Sequence, residues 1–124
     1  MTTFSDLVES RRAWLHEVLI PWCHVASRAD LLRAEQEWTD IAGKIAPERS
    51  LWLWAWSRFP VLYVDGLGGL EESWPVVVEL REGTRLTGYP DNRASDRGRL
   101  VIQSEAGPSE PLVIDEIVRV ERMA

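Results

Sequence analysis

Pro75-Val-Val-Val-Glu-Leu-Arg-Glu-Gly-Thr-Arg-Leu-Thr-Gly-Tyr-Pro-Asp91 is the stretch whose reading decides the fold. Val76, Val78 and Leu80 alternate with Val77, Glu79 and Arg81, the period of a half-buried strand. Glu82-Gly83 marks a tight turn into Thr84–Tyr89, where Leu86 and Gly88 keep the inward phase. A glycine inside a strand marks a sharp bend, and Pro90 ends the strand. Downstream, Gly98-Arg-Leu-Val-Ile-Gln103 supplies a third strand through Leu100 and Ile102. Pro111-Leu-Val-Ile-Asp-Glu-Ile-Val-Arg-Val-Glu121 supplies a fourth through Leu112 and Ile114 and a fifth through Val118 and Val120. Between them, Asp115-Glu116-Ile117 reads as one tight turn of helix. Five short strands predict a small antiparallel barrel over residues 75–124.

Upstream, the periodicity changes to that of helices. Phe4, Leu7, Val8, Trp14, Leu15, Val18 and Leu19 mark one face of a helix over Thr3–Leu19, which Pro21 stops or kinks. Ser27 followed by Asp30 is a second start signal, and Leu31, Leu32, Trp38, Ile41, Ala42 and Ile45 continue that helix. Ile20–Ala26 would join the two as an antiparallel hairpin. In Leu51-Trp-Leu-Trp-Ala-Trp56 the tryptophans alternate as in a strand. Pro47-Glu48 is nevertheless a good helix start and Pro60 a good stop, which favours a third helix over residues 48–58. The expected organisation is α+β: a helical segment at 1–60, a linker at 61–74 containing Gly66-Leu-Gly-Gly, and the barrel, all in one compact unit.

The 124 residues suffice for one domain that folds without staples. Net charge is −6, and nearly all of the excess lies in residues 63–124, with twelve acidic and seven basic side chains. Nucleic-acid binding draws most of its affinity from Lys and Arg, so this bias argues against it. Cys23 is the lone cysteine and cannot form an internal disulfide. The start Met-Thr-Thr-Phe-Ser-Asp lacks the basic and apolar regions of a signal peptide. No apolar run approaches the ~20 residues that span a bilayer, so a cytoplasmic protein is expected.

Val76–Leu80, Glu82-Gly83, Gly88 and Asp91 together resemble the first motif of the Sm-like branch of SH3-like barrels. The resemblance covers residues 75–121 and implies five strands with a helical turn before the last. In that family RNA is held by an Asn placed by an Asp-x-x-x-Asn spacing and by an Arg-Gly pair before the last strand. Here Asn92 follows Asp91 directly, and the turn before the last strand is Asp115-Glu116, whose carboxylates repel phosphate. The resemblance therefore implies the fold without the RNA site. Arg81-x-x-x-Arg85 with Arg93-Ala-Ser-Asp-Arg-Gly98 is similar to the PilZ signature for a cyclic dinucleotide, with Arg93 where an Asp or Asn belongs.

The seven tryptophans, at 14, 22, 38, 52, 54, 56 and 74, are the remaining constellation. Each can bury roughly 150–250 Å². Trp14 and Trp38 fall in phase with their helices, while a helix cannot turn Trp52, Trp54 and Trp56 all inward. His16, Cys23 and His24 are the only soft ligands and lack metal-site spacing. Neither a nucleophile–base pair nor a phosphate loop is present, so no catalytic residue, cofactor or metal is expected. The expected function is a non-enzymatic protein-interaction module, contacting a protein partner or itself through the exposed members of Trp52, Trp54 and Trp56, through Trp74, and through Arg93 and Arg97. Open edge strands make self-association a corollary. The competing readings are an Sm-like RNA binder, a nucleotide sensor and a toxin-neutralising protein.

Overall fold

The computed structural model describes residues 13, 15–37, 47–64, 67 and 69–123, and the fold over them is α+β. A π-helical turn at Leu15–Leu19 leads into α1 (Ile20–Val25), followed by α2 (Arg28–Glu37) and α3 (Pro47–Trp56). Seven short strands follow: β1 (Val76–Leu80), β2 (Arg85–Pro90), β3 (Arg99–Leu100), β4 (Ile102–Ser104), β5 (Gly107–Pro108), β6 (Leu112–Val113) and β7 (Ile117–Arg122). The expected hairpin partner Thr3–Leu19 lies mostly outside the described residues, as do Trp38, Ile41, Ala42 and Ile45.

Pro21 does not stop the helix. The turn before it widens to π geometry, and α geometry resumes with the proline in its first turn, where a missing N–H costs nothing. The expected seven-residue connection shrinks to Ala26 and Ser27, because Ala26 turns extended at ψ 144°. Ser27 Oγ then accepts from the Asp30 N–H at 3.2 Å, as its start signal predicts. The N–H of Arg28 donates instead to Asp115 Oδ1 at 2.8 Å, a cap supplied from 87 residues away.

α3 settles the tryptophan ambiguity in favour of helix. Residues four apart share a helix face, so Trp52 and Trp56 enter the core beside Leu51 and Ala55, while Trp54 is half-buried. α1 packs mainly against α3. Arg58 ties their ends together: Nε donates to Ala55 O at 3.0 Å, and Nη2 donates to Cys23 O at 2.5 Å and Ala26 O at 2.9 Å. Carbonyls at helix C-termini lack intrahelical partners and attract a cation.

The expected linker is a packed segment. Pro60–Leu62 forms a 3₁₀ turn, Leu62 and Leu70 are buried, and Tyr63 bridges to Leu70. The Glu71 N–H donates to Leu62 O at 3.0 Å, and the Leu70 N–H to Asn92 Oδ1 at 2.9 Å. Burying these two leucines outweighs the freedom that the flanking glycines offer.

The main sheet is antiparallel with order β5-β4-β2-β1-β7, and β3 pairs separately with β6. The third strand, predicted over Gly98–Gln103, changes partners at Val101: Leu100 pairs with Leu112, and Ile102 pairs with Pro90. Val101 O instead accepts the Asp91 N–H at 2.9 Å. The fourth arm has two pieces as well: β6 falls on the predicted fourth strand, whereas β5 lies outside the predicted strands. Ser109 fills the gap by donating its N–H to Ile102 O at 2.8 Å and accepting the Ile102 N–H at 3.0 Å. The 3₁₀ turn before β7 forms one residue earlier than expected, at Ile114–Glu116.

The expected closure into a barrel is not seen. Among the described residues β5 and β7 are the free edges of the sheet. Pro108 and Pro111 remove donors from the fourth arm, leaving it too short a ladder to pair across. Gly88, expected to mark a bend, is a site of close approach, since a Cβ there would collide with Gln103 O and Ile102 Cγ2. Helices and sheet share one hydrophobic core, with Leu31, Leu51, Leu62, Val76, Val78, Leu100 and Ile114 fully buried.

Candidate recognition surface

The predicted contact residues separate into two groups. Trp52 and Trp56 are corrected from contact to core, each 4% exposed. Trp52 Nε1 donates to Glu35 Oε1 at 3.2 Å, and Trp56 packs tilted on Phe59 with ring centroids 6.4 Å apart. Trp54 is the member of the three that keeps partial exposure. Arg93 is exposed.

Arg97 is also exposed but committed: its Nε lies 3.1 Å from Glu35 Oε2 and its Nη1 3.4 Å from Asp96 Oδ2. Its carbonyl accepts Arg28 Nε at 2.8 Å. It is the one non-glycine among the described residues with positive φ, at 41°. Beside it, Gly98 at φ 79° lies against Trp52, where a Cβ would come 2.8 Å from the ring. Glu35, by hydrogen bond and charge, holds the Arg97 guanidinium above its ordinary pKa. The 91–98 loop is thus pinned to α2 and α3 at the junction of the helical and β parts.

A polar cleft of about 360 Å³ follows that junction, between Ala26, Ser27, Arg58, Arg81 and the Ile114–Glu116 turn. Three of its charged residues are already engaged. Arg58 serves three carbonyls, Asp115 caps α2, and Arg81 Nε donates to Asp115 O at 2.6 Å. Nearby, burial pushes the Cys23 thiol up to about 12. Burial and, less strongly, Arg58 lower the pKa of His24, whose Nε2 lies 2.7 Å from Ser57 Oγ. Among the described residues no three His, Cys, Asp or Glu side chains converge as metal ligands.

The uncommitted surface lies elsewhere, on the sheet. A groove of about 700 Å³ runs over Thr87, Gly88 and Tyr89 of β2, past Gln103 of β4 and the Ser104–Ala106 turn, to Met123. Tyr89 and Met123 are 48% and 47% exposed. Tyr89 stands opposite Gln103 in the ladder. The Gln103 amide is fixed by donating Nε2–H to Asp91 Oδ2 at 2.8 Å. That bond, followed by the Ala94 N–H, holds the Asp91 carboxyl below the usual carboxylate range. The hairpin tip is fixed in turn, since Ser104 Oγ donates to Gly107 O and accepts the Ala106 N–H, both at 3.2 Å.

Trp74 belongs to this end of the sheet. The Arg122 guanidinium, next in sequence to Met123, sits 4.5 Å from the Trp74 ring centroid, a cation–π contact. The Trp74 Nε1 is enclosed and meets no acceptor among the described residues. Trp74 was expected as a contact residue; Tyr89 and Met123 were not. The signal for Tyr89 was in the strand phase: if Leu86 and Gly88 face inward, Tyr89 must face out.

No helix among the described residues is long and apolar enough to cross a membrane. Compared with family models, curated proteins and solved structures, the chain matches none.

Proposed function

We propose that the chain is a non-enzymatic, cytoplasmic protein-interaction module that takes an extended peptide into the groove over Tyr89. The observation that carries the reading is that groove, in which a tyrosine and a methionine, each about half exposed, are brought together at one end of the sheet. Aromatic side chains and methionine are enriched at interface cores, where rigid rings give contact area at low entropic cost. Trp74, against whose ring the Arg122 guanidinium lies, and the exposed Arg93 are read as further contacts. The β part is read as an opened variant of an SH3-like barrel of the Sm-like kind. In support, its five arms run fifth-first-second-third-fourth across the ladders, with a 3₁₀ turn before the last. The position where that family carries its RNA-binding Arg-Gly is occupied by Asp115, which caps α2.

Selection of displayed random peptides on the folded protein tests the reading. The expected binders shift the amide resonances of residues 87–89 and 103–106, and lose at least about tenfold in affinity for Tyr89→Ala, which is 1.4 kcal/mol. Binders that ignore Tyr89→Ala, or none at all, overturn it. A parallel titration with single-stranded RNA at low salt distinguishes the Sm-like RNA reading, which requires salt-sensitive binding.

A further inference from the structure

The two edges of the main sheet are built differently. β5 has two residues, and Pro108 deprives it of one of its two donors. Such an edge is blunted against pairing. β7 is six residues long, Ile117-Val-Arg-Val-Glu-Arg122, with no proline or lysine. On one side it pairs with β1, Val77 opposite Glu121 and Glu79 opposite Arg119, and the Met123 N–H continues to Pro75 O at 2.9 Å. Antiparallel ladders alternate, so the N–H and C=O groups of Arg119, Glu121 and Met123 face β1 and those of Val120 and Arg122 face away. Among the described residues no backbone group meets Val120 or Arg122 on that open side. The Pro60–Leu62 turn, which also neighbours β7, leaves Val118 52% exposed.

We infer that β7 is the pairing edge of a two-fold symmetric dimer in which a second copy of this chain aligns its own β7 antiparallel, centred on Val120. Val120 then exchanges two backbone hydrogen bonds with the Val120 of the second copy. The charge pattern selects this register. Arg119 and Glu121 are on the same side of the strand, 60% and 64% exposed at their side chains, and 3.5 Å apart within the chain. Centring on Val120 sets each Arg119 opposite the Glu121 of the other copy. Sliding by two residues sets Arg119 opposite Arg119 or Glu121 opposite Glu121, and like charges opposed across a ladder destabilise it. Sliding by one residue turns the buried Val120 row to the wrong face. The pairing is independent of the Tyr89 groove.

Sedimentation velocity from low to high micromolar protein is the test, with Arg119→Glu, Glu121→Arg and the double exchange compared. Wild type is expected to dimerise. Each single reversal opposes like charges twice and should weaken the dimer about tenfold or more, and the double exchange should restore it. Circular dichroism confirms that the variants, changed only at exposed positions, remain folded. If one fails to fold, the other single reversal carries the test. A wild type that stays monomeric, a dimer indifferent to both reversals, or a double exchange that fails to recover overturns the inference. Tyr89→Ala should dimerise like wild type, which separates this result from the groove.

Discussion

The junction between helices and sheet contrasts with the groove on the sheet. At the junction nearly every polar group has a partner within the chain. Arg58 holds three carbonyls, Asp115 caps α2, and Glu35 takes both Trp52 and Arg97. At the groove, Tyr89 and Met123 stay about half exposed. The contrast teaches that the charged residues of this chain, which invite reading as ligand contacts, are used as internal fastenings. The surface left for others is aromatic and apolar.

Substitutions can break that contrast, and the largest effect is expected at Trp52. Trp52→Ala empties a buried site shared by α3, Glu35 and Gly98, and should cost about 3–5 kcal/mol in urea unfolding. Next is Arg58→Ala, which removes the guanidinium from the Cys23 and Ala26 carbonyls at the end of α1 and leaves Ala55 O with only the backbone N–H of residue 58. A loss of about 1–3 kcal/mol is expected from the shift of the urea midpoint. Asp115→Ala removes the cap on the Arg28 N–H and should cost about 1 kcal/mol, read as a fall in Tm. Tyr89→Ala should change stability by less than about 0.5 kcal/mol while abolishing peptide capture. A large stability loss there would erase the distinction between fastening and free surface.

Acid titration sharpens the same comparison at Asp91. Its folded pKa lies below the unfolded value, so its stabilisation is present above the unfolded pKa and is lost as pH falls through the folded one. Stability measured from pH 5 downward should therefore decline less steeply in Asp91→Asn than in the wild type. The thiol of Cys23 offers a control on burial. With its pKa pushed to about 12, it should resist alkylation at neutral pH until the chain is unfolded.

Much of the architecture was legible because it depends on local periodicity. The alternation at Val76–Leu80, the Ser27 cap, the 3₁₀ turn around Asp115 and the helix over Trp52–Trp56 follow from residues a few positions apart. The roles of Arg58 and Asp115 were not legible. Apart from Ala55, the partners cited for them lie 32 to 87 residues away, and no local pattern distinguishes a fastening arginine from a ligand-binding one. The same holds for Trp52 and Trp56, which only a choice of helix face sends inward.

The amino-acid sequence by itself determined the main helices and strands, the Ser27 start signal and the acidic balance, because propensity, spacing and charge act over a few residues. Only the tertiary structure decided which tryptophans are buried, that Leu62 and Leu70 of the expected linker pack in the core, and that among the described residues the sheet remains open at β7. These depend on burial and on backbone partners brought together from distant parts of the chain. An edge strand is defined by a neighbour that is missing, and strand periodicity alone cannot register that.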